Sequence, residues 1–249
     1  MVELEVNDGV AWLTLNRPKS LNALDLVSVR ELSAHLEQLR EMEEVRVVVT
    51  QGAGRAFCAG SDLKDLAPLS AEEAAAAEVE HGEACALLEM LPQPTLAMMH
   101  GYVIGGGVGL ALYHDFRIAA RSATFQMPEV ELGWTPPWGM GRLVDLVGGA
   151  NARWLAMGCV RLGAPEAREI GLVNEVIGEE EFEQWARDFA SRLAGFPPEA
   201  LRHTKSLINE MTPLRDRKWE KAAAEAFEQC YGSREARENV AAFMSRKGG

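Results

Sequence analysis

Gly101-Tyr102-Val103-Ile104-Gly105-Gly106-Gly107-Val108-Gly109-Leu110-Ala111-Leu112 decides how this chain folds. Residues 95–103 are rich in β-prone side chains and predict a strand. Three consecutive glycines follow, and residues 108–113 resume helical character. A strand that turns through glycine into a helix belongs to a βαβ-type unit. Free N–H groups at such a helix start, with the helix dipole behind them, favour a negative oxygen. The run is not a dinucleotide fingerprint, because Gly107-Val108-Gly109 is followed by Leu110-Ala111-Leu112 and the last required glycine is missing.

A second stretch has the same context. Gly52-Ala53-Gly54-Arg55-Ala56-Phe57-Cys58-Ala59-Gly60-Ser61-Asp62-Leu63 follows a valine-rich strand at 45–50 and precedes a helix, which makes 51–62 a glycine-rich loop. Small residues at Ala59, Gly60 and Ser61 let the backbone approach a ligand closely. Two such turns facing one another would donate two hydrogen bonds to one oxyanion. Spacing alone also fits two tight turns that bind nothing. No Gly-x-Ser-x-Gly elbow surrounds Ser61 and no Gly-Lys-Ser/Thr occurs, which argues against a serine hydrolase and a P-loop enzyme.

Outward from these loops the chain alternates strands and helices. Residues 2–7 and 10–16 flank Asn7-Asp8-Gly9 and read as a hairpin, ended by Arg17-Pro18-Lys19-Ser20. Leu26, Val29, Leu32, Leu36 and Leu39 recur at helical spacing over 25–42, and 71–90 is a long Ala/Glu-rich helix. Short strands are expected at 116–119 and 124–126. Beyond about Gly141 the chain reads as helical, broken near Gly163, Gly178, Pro197-Pro198 and Pro213. The pattern predicts an α/β fold whose helical tail packs on the sheet or on a neighbouring subunit.

The 249 residues, 47% apolar and 25% charged, predict one folded domain with a sizeable core. A net charge of −12 argues against a general nucleic-acid or anionic-membrane binder, although local basic groups and helix N-termini can still hold phosphates. Cys58, Cys85, Cys159 and Cys230 are scattered without CxxC or zinc spacing, so reduced thiols in a cytoplasmic setting and no metal are expected. No signal-like N-terminus and no apolar run of membrane-spanning length is present.

Five segments in one order resemble the crotonase (enoyl-CoA hydratase/isomerase) family. They are Leu15-Asn16-Arg17-Pro18 with Leu21-Asn22-Ala23-Leu24; Ala56–Lys64; Gly101–Leu112 ending in Asp115; Phe125-Gln126-Met127-Pro128-Glu129-Val130-Glu131-Leu132-Gly133; and Ala167–Val176. The resemblance covers nearly the whole chain. It implies a crotonase-like spiral of ββα turns over about 1–195. It also implies a C-terminal helical region over about 196–249 that makes subunit contacts in a homotrimer or dimer of trimers.

It further implies an acyl-CoA substrate with coenzyme A as part of it and no separate cofactor. The thioester oxygen would be held by the backbone N–H groups of Ser61 and Gly106, with Ala59, Gly60, Asp62, Leu63, Gly105, Gly109, Trp134 and Trp138 as substrate-binding residues. Of two family glutamates, the second falls on Glu129 and the first falls on Gly109. One carboxylate is enough to move a proton between carbons, whereas hydration normally uses the pair. The resemblance therefore points first to a double-bond-shifting isomerase with Glu129 as acid/base. A hydratase recruiting Glu131 or a bound water is the alternative, and a non-catalytic acyl-CoA binder, a thioester hydrolase and a decarboxylase use the same site.

On an extended segment Glu129 and Glu131 would share a face. The two-base pattern of dienoyl-CoA isomerases would need acids at Gly109 and Pro137 and lacks them. Trp134 and Trp138 either fill the space beside Gly109 or line an acyl pocket. His114-Asp115 reads as structural. Lys64, Arg17, Lys19 and Lys205 are candidates for the coenzyme A phosphates.

Overall fold

The computed structural model describes residues 1–212 and 217–246. Strand β1 (Val2–Asn7) pairs antiparallel with β2 (Val10–Leu15), with Asn7 opposite Val10. Asp8 and Gly9 between them have φ of 51° and 76°, the two positive angles a type I′ hairpin turn demands. Helix α1 (Leu26–Glu41) is capped by the Asp25 side chain, which accepts from the Ser28 N–H at 2.8 Å. It buries Val29, Leu32, Leu36 and Leu39, the stripe read from the sequence.

Three further ββα turns follow. The first is β3 (Val47–Gly52), β4 (Ala56–Cys58), the single turn α2 (Leu63–Leu66) and α3 (Ala71–Met90). The second is β5 (Thr95–Met99), β6 (Tyr102–Ile104) and α4 (Gly106–Leu112). The third is β7 (Phe116–Ala120), β8 (Thr124–Gln126), α5 (Glu129–Leu132) and α6 (Met140–Ala156). Then come β9 (Leu162–Gly163), α7 (Ala164–Glu169), β10 (Glu175–Ile177), α8 (Glu179–Ala194), α9 (Pro198–Met211), α10 (Arg217–Tyr231) and α11 (Arg234–Arg246).

Each turn sends its first strand to one sheet and its second to another. The larger sheet runs β1-β2-β3-β5-β7-β10 and the smaller runs β4-β6-β8-β9. This corrects three sequence expectations. The single strand expected over 95–103 is two strands in different sheets, because the chain turns at Gly101 with φ of 56°. The loop expected over 51–62 contains β4, whose three residues are too few to show a period. The helical tail is interrupted by β9 and β10, equally short. Among the expected breaks, Pro213 lies outside the described residues.

Core side chains fill the space between the sheets and around α1, α3 and α4, with Leu13, Leu15, Leu24, Leu36, Phe57, Leu88 and Phe125 almost wholly buried. On the other face of the large sheet, Phe182, Ala186 and Ala190 of α8 cover Val10, Val47 and Val49. Thus α8 packs on the sheet, as anticipated for part of the tail. Helices α10 and α11 pack on α3, α5 and α6. Phe227 and Tyr231 stack on each other there, Phe227 meets Trp134 edge-on and Tyr231 meets it at a tilt, and the Tyr231 hydroxyl donates to the Leu66 carbonyl at 2.7 Å. No helix among the described residues is long and apolar enough to cross a membrane.

Candidate active site

The site grows from the small sheet. Strands β4, β6 and β8 are parallel neighbours, with Cys58 opposite Val103 and Ile104 opposite Gln126. Their C-terminal ends therefore lie side by side, the usual place for a ligand crevice in parallel sheets. From those ends emerge Ala59-Gly60-Ser61, Gly105-Gly106 and Met127-Pro128-Glu129.

Strand registry brings the two glycine turns face to face. A β-carbon on Gly60 would stand 2.9 Å from the Gly106 nitrogen. Gly60 has φ of 85° and Gly105 of 56°, so both turns use backbone that other residues rarely adopt. Ser61 N–H and Gly106 N–H, the latter at the first position of α4, donate to none of the described residues. Two unpaired N–H groups on adjacent turns are the arrangement that can donate to one negative oxygen.

The N-terminal motif explains how the Ser61 turn is held. Leu21 and Asn22 have φ of 53° and 58°, which folds the segment back against the loop. There the Leu24 N–H donates to Gly60 at 2.8 Å, the Asp62 N–H to Leu24 at 2.8 Å, and the Ala59 N–H to Leu21 at 3.0 Å. The Asn22 amide donates to the Ala53 and Ala56 carbonyls at 2.9 and 2.7 Å. These bonds engage the neighbours of Ser61 and leave its own N–H clear.

Glu129 is the first residue of α5 and is 7% exposed. Its Oε1 lies 3.0 Å from where a β-carbon on Gly105 would stand, which sets the carboxyl beside the Gly105-Gly106 turn. Its Oε2 is sealed from solvent and has no hydrogen-bond partner. Burial pushes its pKa up to about 7, and the nearby Glu78 carboxyl adds to the rise. Such a group exists in both protonation states near neutral pH, as a proton shuttle requires. Glu131 is exposed, and its helix turns it away from Glu129. The expectation that the two share a face fails because the segment is helical, not extended.

Ala59, Gly60, Ser61, Leu63, Gly105, Gly106, Gly109, Glu129, Trp134 and Trp138 all line one cavity. Asp62 does not. Its carboxylate caps α2 through the Lys64 N–H at 3.1 Å and pairs with Arg17 at 2.9 Å, so it braces the loop and does not face the acyl space. Arg17 is held by Asp62 and by Asp25 at 3.0 Å, and is thereby committed to the scaffold.

Lys205 is also removed from the phosphate candidates. It is buried against Asp115 at 2.8 Å and donates to the Gln93 carbonyl at 3.0 Å. Lys19 and Lys64 are exposed. His114 is structural, as expected. It contacts Thr50 Oγ1 at 2.8 Å and the Leu110 carbonyl at 3.0 Å, and burial pushes its pKa down to about 3. Asp115 is taken by Thr95 and Lys205. Burial drives the Cys58 thiol up to about 12, which leaves it inert.

Both tryptophans line the cavity, and Trp138 also takes the space-filling role anticipated beside Gly109. A β-carbon on Gly109 would stand 2.4 Å from Trp138 Cζ3, so Trp138 fills the space of a side chain at that position. Trp134 forms the pocket wall, backed by the rings of α10.

One charged pocket residue escaped the sequence reading. Glu78, on α3 and 3% exposed, lines the cavity and accepts from Trp138 Nε1 at 2.8 Å. Its signal was there, since Ala74, Glu78, Gly82 and Cys85 follow helical spacing on a buried stripe and Glu78 is the carboxylate in it. An Ala/Glu-rich helix hides such a residue among its solvated acids.

Similarity to known proteins covers the whole architecture. A family model described as Enoyl-CoA hydratase/isomerase matches residues 5–248. The chain is 32% identical over 248 residues to a short-chain-enoyl-CoA hydratase of Clostridium acetobutylicum, covering 99% of this chain and 95% of the relative. It is 33% identical to a crotonyl-CoA hydratase of Syntrophomonas wolfei, covering 98% and 95%. A crystal structure of an enoyl-CoA hydratase from Mycobacterium avium subsp. paratuberculosis superposes with a TM-score of 0.88 at 29% identity, covering 98% of this chain and 96% of that one. The paired glycine turns, the ββα turns that hold them and these full-length matches agree, and the chain belongs to the enoyl-CoA hydratase/isomerase family, with the crotonase-like fold.

Proposed function

We propose that this protein shifts the double bond of an enoyl-CoA thioester, with Glu129 as the one acid/base. The supporting observation is the Glu129 carboxyl, with its Oε2 unpartnered, beside the Ser61 and Gly106 N–H pair, with Trp138 filling the space over Gly109. The two N–H groups would polarise the thioester carbonyl and stabilise the enolate that forms when a C2 proton leaves. Glu129 would take that proton from C2 of a 3-enoyl-CoA and return it at C4, giving the 2-enoyl-CoA. Charge and atoms balance, since the carboxylate gains and then loses the same proton.

Purified protein offered 3-enoyl-CoA and 2-enoyl-CoA in parallel tests this. Isomerisation of the first with slow hydration of the second is expected. Fast hydration without a double-bond shift would overturn it.

Hydration is the second reading, and two observations favour it. Relatives at 32% and 33% identity over nearly the whole chain are named hydratases. Glu78 also brings a second carboxylate to the cavity wall. In that case Glu129 and Glu78 would share the work of positioning and deprotonating water.

A further inference from the structure

Glu78 is an unusual group to find in an acyl pocket. The wall around it is formed largely by Leu63, Leu66, Ile104, Met127, Leu132 and Phe243. A plain hydrocarbon chain asks for nothing more, and a buried carboxylate without enough donors is destabilising. Glu78 Oε2 has its indole donor, but Oε1 accepts from none of the described residues. An ionised carboxyl offers about four acceptor positions, so most of its capacity is unused by the protein. Anchoring an indole N–H does not need a carboxylate, since a carbonyl oxygen would do it. Glu129 Oε2, on the same cavity and equally buried, is also without a donor. No Lys or Arg lines this cavity among the described residues, so no protein cation answers either acid.

We propose that Glu78 is a specificity residue that selects acyl groups carrying a hydroxyl, accepting its O–H within the acyl pocket. The inference rests on the reading of the cavity as an acyl-CoA site. The hydroxyl has two possible sources. It is either the C3 hydroxyl made or lost when water crosses the 2,3 double bond, or a substituent further along the chain. Trp138 is then a partition, with Gly109 at one edge of its ring and Glu78 at the N–H edge.

The test is calorimetric binding of butyryl-CoA, 3-hydroxybutyryl-CoA and 4-hydroxybutyryl-CoA to the full chain and to three variants. The wild type should bind one hydroxylated thioester about tenfold or more tighter than butyryl-CoA, the scale of a charged hydrogen bond. Glu78→Met should abolish that preference and Glu78→Gln should shrink it. Trp138→Phe, which keeps the carboxylate, should retain it. If Glu78→Met does not fold, the contrast of Glu78→Gln with Trp138→Phe decides.

Preference for the 3-hydroxy ligand assigns the hydroxyl to hydration chemistry, and preference for the 4-hydroxy ligand assigns it to the chain. Equal binding of all three by the wild type overturns the proposal. So does a preference that survives Glu78→Gln and Glu78→Met, or one lost only in Trp138→Phe. Failure to bind any of the thioesters overturns the acyl-CoA reading itself, and the inference with it.

Discussion

Trp138 Cζ3 stands 2.4 Å from the position a β-carbon on Gly109 would take. A side chain at 109 and an indole at 138 therefore exclude each other. Gly109→Glu alone should not rebuild a glutamate pair. Overpacking a rigid ring against helix α4 should destabilise by about 1–3 kcal/mol, or roughly 2–12 °C in melting temperature for a chain of this size. Gly109→Glu with Trp138→Ala should recover stability relative to the single variant and raise the ratio of hydration to isomerisation. Thermal melts and parallel assays on the two enoyl-CoA isomers check both.

Glu129→Gln should lower kcat by about 10²-fold or more while changing acyl-CoA affinity little. The amide keeps the shape of the carboxyl but cannot accept the proton. Steady-state kinetics with calorimetric Kd values separate the two effects. Unchanged turnover would remove Glu129 from the chemistry.

The pKa of Glu129, raised by burial to about 7, gives two pH signatures with opposite slopes. As a base it must be ionised, so kcat/KM should rise about tenfold per pH unit toward 7 and then level off. Stability runs the other way. A raised folded-state pKa means the native protein keeps a proton that the unfolded chain releases from about pH 4.5 upward. The stabilisation is complete below the unfolded value and is lost as pH climbs through about 7. The loss amounts to about 3 kcal/mol, from about 1.4 kcal/mol per pKa unit. Denaturant unfolding of wild type and Glu129→Gln should show the variant gaining about that much relative stability between about pH 4 and 8.

Lys205→Met should leave coenzyme A affinity unchanged and lower stability by about 1–3 kcal/mol, because Asp115 loses its cation and keeps only its Thr95 donors. The ion pair is 2.8 Å long, and the Lys205 side chain is 9% exposed. A large loss of coenzyme A binding without a fall in melting temperature would return Lys205 to the phosphate site.

Much of the fold was legible because it is written in local signals. The hairpin at Asp8-Gly9 follows from turn chemistry, α1 from its apolar spacing and α3 from its Ala/Glu-rich composition. The strands that were missed, β4, β9 and β10, have two or three residues each. Elements so short exist through their neighbours in the sheet, not through their own sequence. The turn at Gly101 that divides one apolar run between two sheets is likewise a tertiary event.

By itself the sequence determined the two glycine turns, the carboxyl at position 129 and its absence at position 109. These depend on residue type, since only glycine fits the close approach at 60 and 105, and only an acid carries the proton. The tertiary structure alone decided which groups share the cavity. It committed Asp62, Arg17 and Lys205 to scaffold ion pairs, turned Glu131 outward and brought Glu78 in from a distant helix. A side chain's charge is a property of the residue, but the direction it faces is set by the helix register and by what packs against it.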